Sequence, residues 1–108
     1  WKAWRSAGFE CQDTGIGAAT DGLAGARVVR PAAGTVATAT QQHDTEFCFF
    51  FVLAGQVDFL HGQERVRLRS DDSVTIPGGM AYAFHDASPD LQLLEVTLPD
   101  GVGAVTPA

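Results

Sequence analysis

The chain is short of several things, and each shortage removes a class of function. Two of its 108 residues are cysteines, Cys11 and Cys48, so at most one bridge could form and a disulfide scaffold is excluded. Lysine and arginine number seven against thirteen acidic residues, a formal net charge of −6. Nucleic-acid affinity rests on neutralising backbone phosphates, so a nucleic acid is not an expected partner. The longest apolar run, Phe47 to Gly55, covers nine residues, about half of what a helix needs to cross a hydrocarbon core. A membrane is therefore not an expected partner either. The opening WKAWRSAGFE lacks the apolar stretch of a secretory signal, and with two free thiols the expected location is the cytoplasm. Helical periodicity, internal repeats and a dividing linker are also missing.

What is there is ordinary globular composition, 45% hydrophobic and 19% charged, in a length that suits one core. Short segments rich in Val, Thr, Phe and Leu alternate with Gly, Pro and Asp turn signals, which predicts an all-β domain. Strands are expected over 26–30, 36–43, 47–53, 57–60, 64–69, 73–76, 81–85 and 91–98. HGQ at 61–63 suits a hairpin with glycine in the left-handed region. RSDD at 69–72 is a polar turn, and IPGG at 76–79 ends a strand because proline cannot donate to a ladder. Strands so spaced read as a small sandwich or closed barrel. Residues 1–24 are expected as an irregular arm or edge strand wrapped on a barrel formed by 25–98, and 99–108 as a loosely held tail.

The order of these segments resembles the cupin superfamily, small jelly-roll β-barrels of the double-stranded β-helix type, and two motifs carry the resemblance. The first family motif sets two histidines one residue apart, then an acidic residue, then glycine. Gln41, His43, Cys48 and Gly55 keep that spacing with two ligand types changed. The second motif runs from glycine through Pro-x-Gly to histidine and asparagine. Asp71, Pro77, Gly79, Tyr82 and Asp86 occupy those places. The resemblance spans residues 34 to 98 and implies one cupin domain over 1–108. Cupins share a scaffold and not a reaction: dioxygenases, isomerases, decarboxylases, lyases, metal-free epimerases and ligand sensors all use it.

Strand alternation explains the family spacing. Residues two apart point to one face, so a His-x-His pair aims two imidazoles into the barrel, where ligands from later strands complete a site for Fe, Mn, Ni or Zn. By the same logic Gln41 and His43 point inward, joined by Cys48 and Tyr82. As metal ligands this set is poor: a buried thiol stays protonated, an amide is a weak donor, and a tyrosine needs a lowered pKa. An altered centre using His43, Cys48 and Gln41 or Tyr82 is one reading, and no tightly bound metal is the favoured one. A lone histidine can equally be a hydrogen-bonded barrel residue or a general acid or base.

Without metal the same set makes a pocket, with His43 shuttling a proton, Tyr82 donating one and Gln41 orienting a carbonyl or hydroxyl. Phe50, Phe84 and Met80 are expected to wall it. Glu95 shares a strand face with Leu91 and Leu93, so it is either a base near His43 or a sign that the face assignment is off, since an unpaired inward carboxylate is costly. His85 should point outward, His61 should be a solvated turn residue, and Asp86 should bond backbone. With Cys48, Phe50 and Val52 inward, Phe47, Phe49, Phe51 and Leu53 form an outer apolar row that something must cover. Either the arm with Trp1, Trp4 and Phe9 covers it, or a second subunit does, and the resemblance favours a homodimer. The expected function is binding or transforming a small, largely apolar organic molecule, by proton-transfer chemistry if it is an enzyme. The alternatives are a metal-dependent dioxygenase, a noncatalytic sensory module, and a structural barrel filled by its own side chains.

Overall fold

The computed structural model describes residues 1–100 and the backbone of 104–105, and the architecture is the expected all-β barrel of two facing sheets. Strands β1 (Lys2–Ala3), β2 (Phe9–Asp13), β3 (Gly25–Pro31), β5 (Phe47–Ala54), β8 (Ser73–Thr75) and β10 (Gln92–Leu98) form one sheet in the order β1-β2-β3-β10-β5-β8. Strands β6 (Gln56–His61), β7 (Glu64–Arg69) and β9 (Ala83–His85) form the second, in the order β7-β6-β9. β4 (Gln42–His43) pairs with β11 (Ala104–Val105), and a single helical turn, α1 (Ile16–Ala19), precedes β3. All the pairings are antiparallel.

Alternation holds where it was read. Along β5, Cys48, Phe50 and Val52 are buried while Phe47, Phe49 and Phe51 are half-buried on the other face. Along β10, Leu93, Glu95 and Thr97 are buried, so the inward assignment of Glu95 is right. The two inner faces meet in an aromatic core: Phe50 packs on Phe84 at 5.0 Å between ring centres, and Phe59 lies 6.0 Å from Tyr82 and 5.7 Å from Phe84.

Gly55 makes the corner at which the chain leaves the first sheet for the second. Its φ of 77° lies in the left-handed region, and a Cβ there would come within 2.8 Å of Leu91 Cα and 2.5 Å of Ser88 Oγ. Only glycine fits both demands. The family's other glycine position holds Asp71, and its backbone keeps the left-handed turn with φ 76°. Asp86 does the same at 53°.

One strand expectation is corrected. Residues 36–43 are not one strand: only Gln42–His43 is ladder-paired, with an isolated bridge from Gln41 to Tyr82. The reason lies at Thr38, whose hydroxyl accepts the Phe84 N–H at 2.9 Å, a side-chain bond that stands in for a ladder rung. Of the two readings of the N-terminal segment, the edge strand is the one present: β2 pairs with β3 over five residues at the sheet's margin. Of the expected loose tail, residues 101–103 and 106–108 lie outside the described residues.

Candidate functional site

β4, β5, β9 and β10 each deliver inward side chains to one region of the barrel, and the N-terminal segment adds another. Gln41, His43 and Tyr82 come together as the spacing predicts: His43 Nε2 lies 2.8 Å from Tyr82 Oη, and Gln41 pairs with Tyr82 through reciprocal backbone bonds of 2.7 and 2.8 Å. At the centre of the group is a residue that sequence reasoning missed. Arg5 Nε donates to Gln41 Oε1 at 2.7 Å, and its Nη2 donates both to Tyr82 Oη at 3.0 Å and to Glu95 Oε2.

A guanidinium can only donate, so Tyr82 Oη accepts from Arg5. The phenol proton then has two acceptors in reach, His43 Nε2 at 2.8 Å and Gln41 Oε1 at 3.5 Å. His43 Nδ1 lies 3.2 Å from Thr45 Oγ1, so both ring nitrogens are engaged. Burial, and then the charge of Arg5, hold the His43 pKa below its ordinary value, which agrees with a neutral ring. Gln41 is orientated by the same rule: its oxygen faces Arg5, and its buried amide nitrogen has no partner among the described residues.

Glu95 is fully buried and ionised. Burial works to raise its pKa, but hydrogen bonds and charge from Arg5 and Arg27 hold it below the usual carboxylate range. Arg27, opposite it on β3, donates to Oε1 at 2.8 Å and to Asp100 at 2.7 Å, and Trp4 Nε1 approaches Oε1 at 3.4 Å. A carboxylate so paired is a poor base, and the expected role beside His43 passes instead to an anchor for two arginines. Arg5 was not legible for a specific reason: an inward carboxylate demands a cation, but nothing local in WKAWRSAGF says which way its arginine points.

These residues do not fit a metal ion. Burial pushes the Cys48 thiol up to about 12, so it is protonated at neutral pH. Burial likewise raises Tyr82, which stays a phenol. The Gln41 and Tyr82 oxygens and the Glu95 carboxylate already accept from Arg5, whose positive charge would repel a second cation. His43 Nε2 is bonded to Tyr82. Among the described residues, no three His, Cys, Asp or Glu stand together as a metal site.

The expected pocket walls take different places. Phe50, Phe84 and Glu95 are fully buried, and Met80 packs against the aromatic core from its margin. Openings lie outside that core. A half-open cleft of about 310 Å³ is lined by Gln42, His43, Asp44 and Gly79. Another of about 180 Å³ is lined by residues that include Thr40, His61, Tyr82 and His85. His61 is not simply solvated: it ends β6, half-buried, 5.6 Å from the Phe59 ring and 3.5 Å from Glu64. His85 pairs with Asp58 on the face opposite Phe84, as expected. Asp86 bonds Arg65 rather than backbone.

The same arrangement of strands is found in solved structures. DMSP lyase DddQ from Ruegeria pomeroyi DSS-3 is 24% identical with a TM-score of 0.70, over 90% of this chain and 50% of that one. Salicylate 1,2-dioxygenase from Pseudoaminobacter salicylatoxidans is 19% identical with a TM-score of 0.71, over 88% of this chain and 26% of that one. A predicted oxalate decarboxylase from Thermotoga maritima is 17% identical with a TM-score of 0.67, over 84% and 80%. The chain thus spans about half the length of the lyase and about a quarter of the dioxygenase. Such identities speak for the fold alone. No curated protein matches the chain. The family pattern of the cupin domain matches residues 27–97, from the arginine opposite Glu95 to the end of the same strand. With the barrel and its motif positions in place, this chain belongs to the cupin family.

Proposed function

We propose that this domain binds a small, largely apolar organic molecule bearing a carbonyl or hydroxyl oxygen, at Gln41, His43 and Tyr82, without a tightly bound metal. One observation carries this reading. The Gln41 amide nitrogen is buried at a family ligand position and has no partner among the described residues, and an orphaned buried donor costs about 1–3 kcal/mol. A ligand oxygen would satisfy it. The neighbouring Gln42 and His43 line the larger cleft, and Tyr82 lines the smaller.

If the domain is an enzyme, the groups support proton transfer, of the isomerase, cyclase, dehydratase or decarboxylase kind. Tyr82 Oη and His43 Nε2 lie 2.8 Å apart, within reach for proton transfer, and the Arg5 guanidinium beside Tyr82 stabilises negative charge on the phenol oxygen. A redox-metal dioxygenase needs donors that Arg5 already holds. The molecule acts in the cytoplasm on this reading, and no nucleic acid is a partner.

A second copy of the chain is the proposed cover for the outer row of β5. The arm does not serve: Trp4 packs inward, 6.3 Å from Phe50, and Phe9 is buried beside it. Phe47, Phe49 and Phe51 stand opposite Leu98, Val96 and Leu94 of β10, which makes one apolar face suited to a two-fold interface.

The ligand reading is tested by ligand-observed NMR with a panel of small phenols, ketones and hydroxy acids. At least one class should bind, and Asp44→Trp, which fills the larger cleft from an exposed position, or Gln41→Leu should abolish binding while the fold is kept. A panel with no binder, together with a Gln41→Leu protein more stable than the wild type, would leave a structural barrel.

A further inference from the structure

The N-terminal segment carries a cation into the barrel and holds it there from both sides. Trp4 and Ser6, which flank Arg5, are both buried. The Trp4 N–H donates to the Phe9 carbonyl at 3.0 Å and the Phe9 N–H to the Ser6 carbonyl at 3.2 Å, closing a tight loop around Arg5. That loop is tied to the barrel by the Ala32 N–H, which donates to the Gly8 carbonyl at 2.8 Å, and by the Ala39 N–H, which donates to Ser6 Oγ at 3.3 Å. The guanidinium lies 4.3 Å from the Trp4 ring centre, an apolar face on one side with oxygen acceptors around its edge.

We propose that Arg5 is the resident cation of this barrel, taking beside Gln41 and Tyr82 the place that a divalent metal takes in a cupin with intact ligands, with Glu95 as its counter-ion. Three features support the exchange together. Two of the family's ligand positions hold neutral oxygen acceptors, Gln41 and Tyr82, and both accept from Arg5. A glutamine oxygen and a phenol oxygen are weak metal donors but good partners for a group that only donates. Glu95, fully buried, needs positive charge beside it, and it receives Arg5 from the arm and Arg27 from β3. The remaining charge on Arg27 is met by Asp100, so the four groups balance without a further ion. The arm is therefore part of the site, and access of metal to the barrel centre is barred by a residue of the same chain. This goes beyond the ligand-binding reading and stands even if no ligand is found.

An ion pair of purely structural importance and an occupied cation site predict different behaviour when Arg5 is removed. The test is titration of tag-free protein with Co2+, followed by visible absorption, alongside urea unfolding. Wild type should show no ligand-field bands. Arg5→Ala should be less stable than wild type, should take up Co2+ with ligand-field bands, and should regain stability as Co2+ is added. Adding His43→Ala should weaken that uptake by about tenfold or more. Arg5→Lys, which keeps the charge, should exclude Co2+ as wild type does. Should Arg5→Ala fail to fold, Arg5→Met with Glu95→Gln removes both charges together and should restore folding. The proposal is overturned if wild type takes up Co2+ at the barrel, if folded Arg5→Ala takes up none, or if the double variant is no more stable than the single one.

Discussion

His43 has both ring nitrogens engaged from within the chain, and that sets a pH dependence with a definite sign. Its folded pKa lies below its ordinary 6.5, first through burial and then through Arg5. Above pH 6.5 the ring is neutral in both folded and unfolded chains, and its full contribution is present. As pH falls below 6.5 the unfolded chain takes the proton first, so stability declines by up to about 1.4 kcal/mol per pH unit until the lowered folded pKa is reached. Glu95 adds its own loss only lower, as pH falls below the ordinary 4.5 of a glutamate. Urea unfolding of wild type from pH 7.5 to 5 should therefore show a decline that His43→Gln flattens; an unchanged slope in the variant would place the titration elsewhere. Glu95→Ala should cost about 3 kcal/mol or more at pH 7, because two guanidiniums would be left inside the barrel with one carboxylate between them. Differential scanning calorimetry measures that loss directly.

At the level of strands and turns, two positions show how backbone demands outlast side-chain identity. Asp71 sits in the left-handed region where the family pattern has glycine, and its side chain is exposed. Asp71→Gly removes the Cβ strain and should raise stability by about 0.5–1 kcal/mol, read as a shift of the urea midpoint. Gly25 is held for the opposite reason. A Cβ there would overlap the Asp100 carboxylate and come within 2.9 Å of Arg27 Nη2. Gly25→Ala should dislodge Asp100 from Arg27 and cost about 1–2 kcal/mol by the same measurement. Much of this level was legible in the sequence: the inward set Gln41, His43, Cys48, Phe50 and Glu95 follows from period-two alternation, and Gly55 from motif spacing. What was not legible depends on partners remote in the chain. Residues 36–40 have strand-like composition and run beside 84–87, with backbone bonds from Thr38 N–H to the Phe84 carbonyl and from Ala87 N–H to the Val36 carbonyl, but the Thr38 hydroxyl takes the Phe84 N–H and breaks the ladder. Phe9–Asp13 reads as a mixed polar stretch and becomes a strand because β3 offers it an edge. Arg5 is defined as a site residue by Gln41, Tyr82 and Glu95, which lie 36, 77 and 90 positions away.

For the molecule as a whole, the outer face of β5 and β10 is the surface to probe. A charge placed in the middle of the row, Phe49→Glu, should convert the proposed homodimer to monomer in light scattering while leaving the circular dichroism of the barrel unchanged. Wild type that is monomeric at the same concentration would remove the two-fold interface. Among the described residues no helix is long and apolar enough to cross a membrane. The contact between Arg5 and Glu95 also has a bearing on biosynthesis. A ribosome must emit nearly the whole barrel before the strand carrying Glu95 appears, so the early arginine waits in water while β2, β3 and β5 emerge without β10, the strand that runs between β3 and β5. Closure of so distant a pair comes late and slows folding. A nascent chain stalled before residue 92 should accordingly be held by chaperones, with its apolar strands open on both faces.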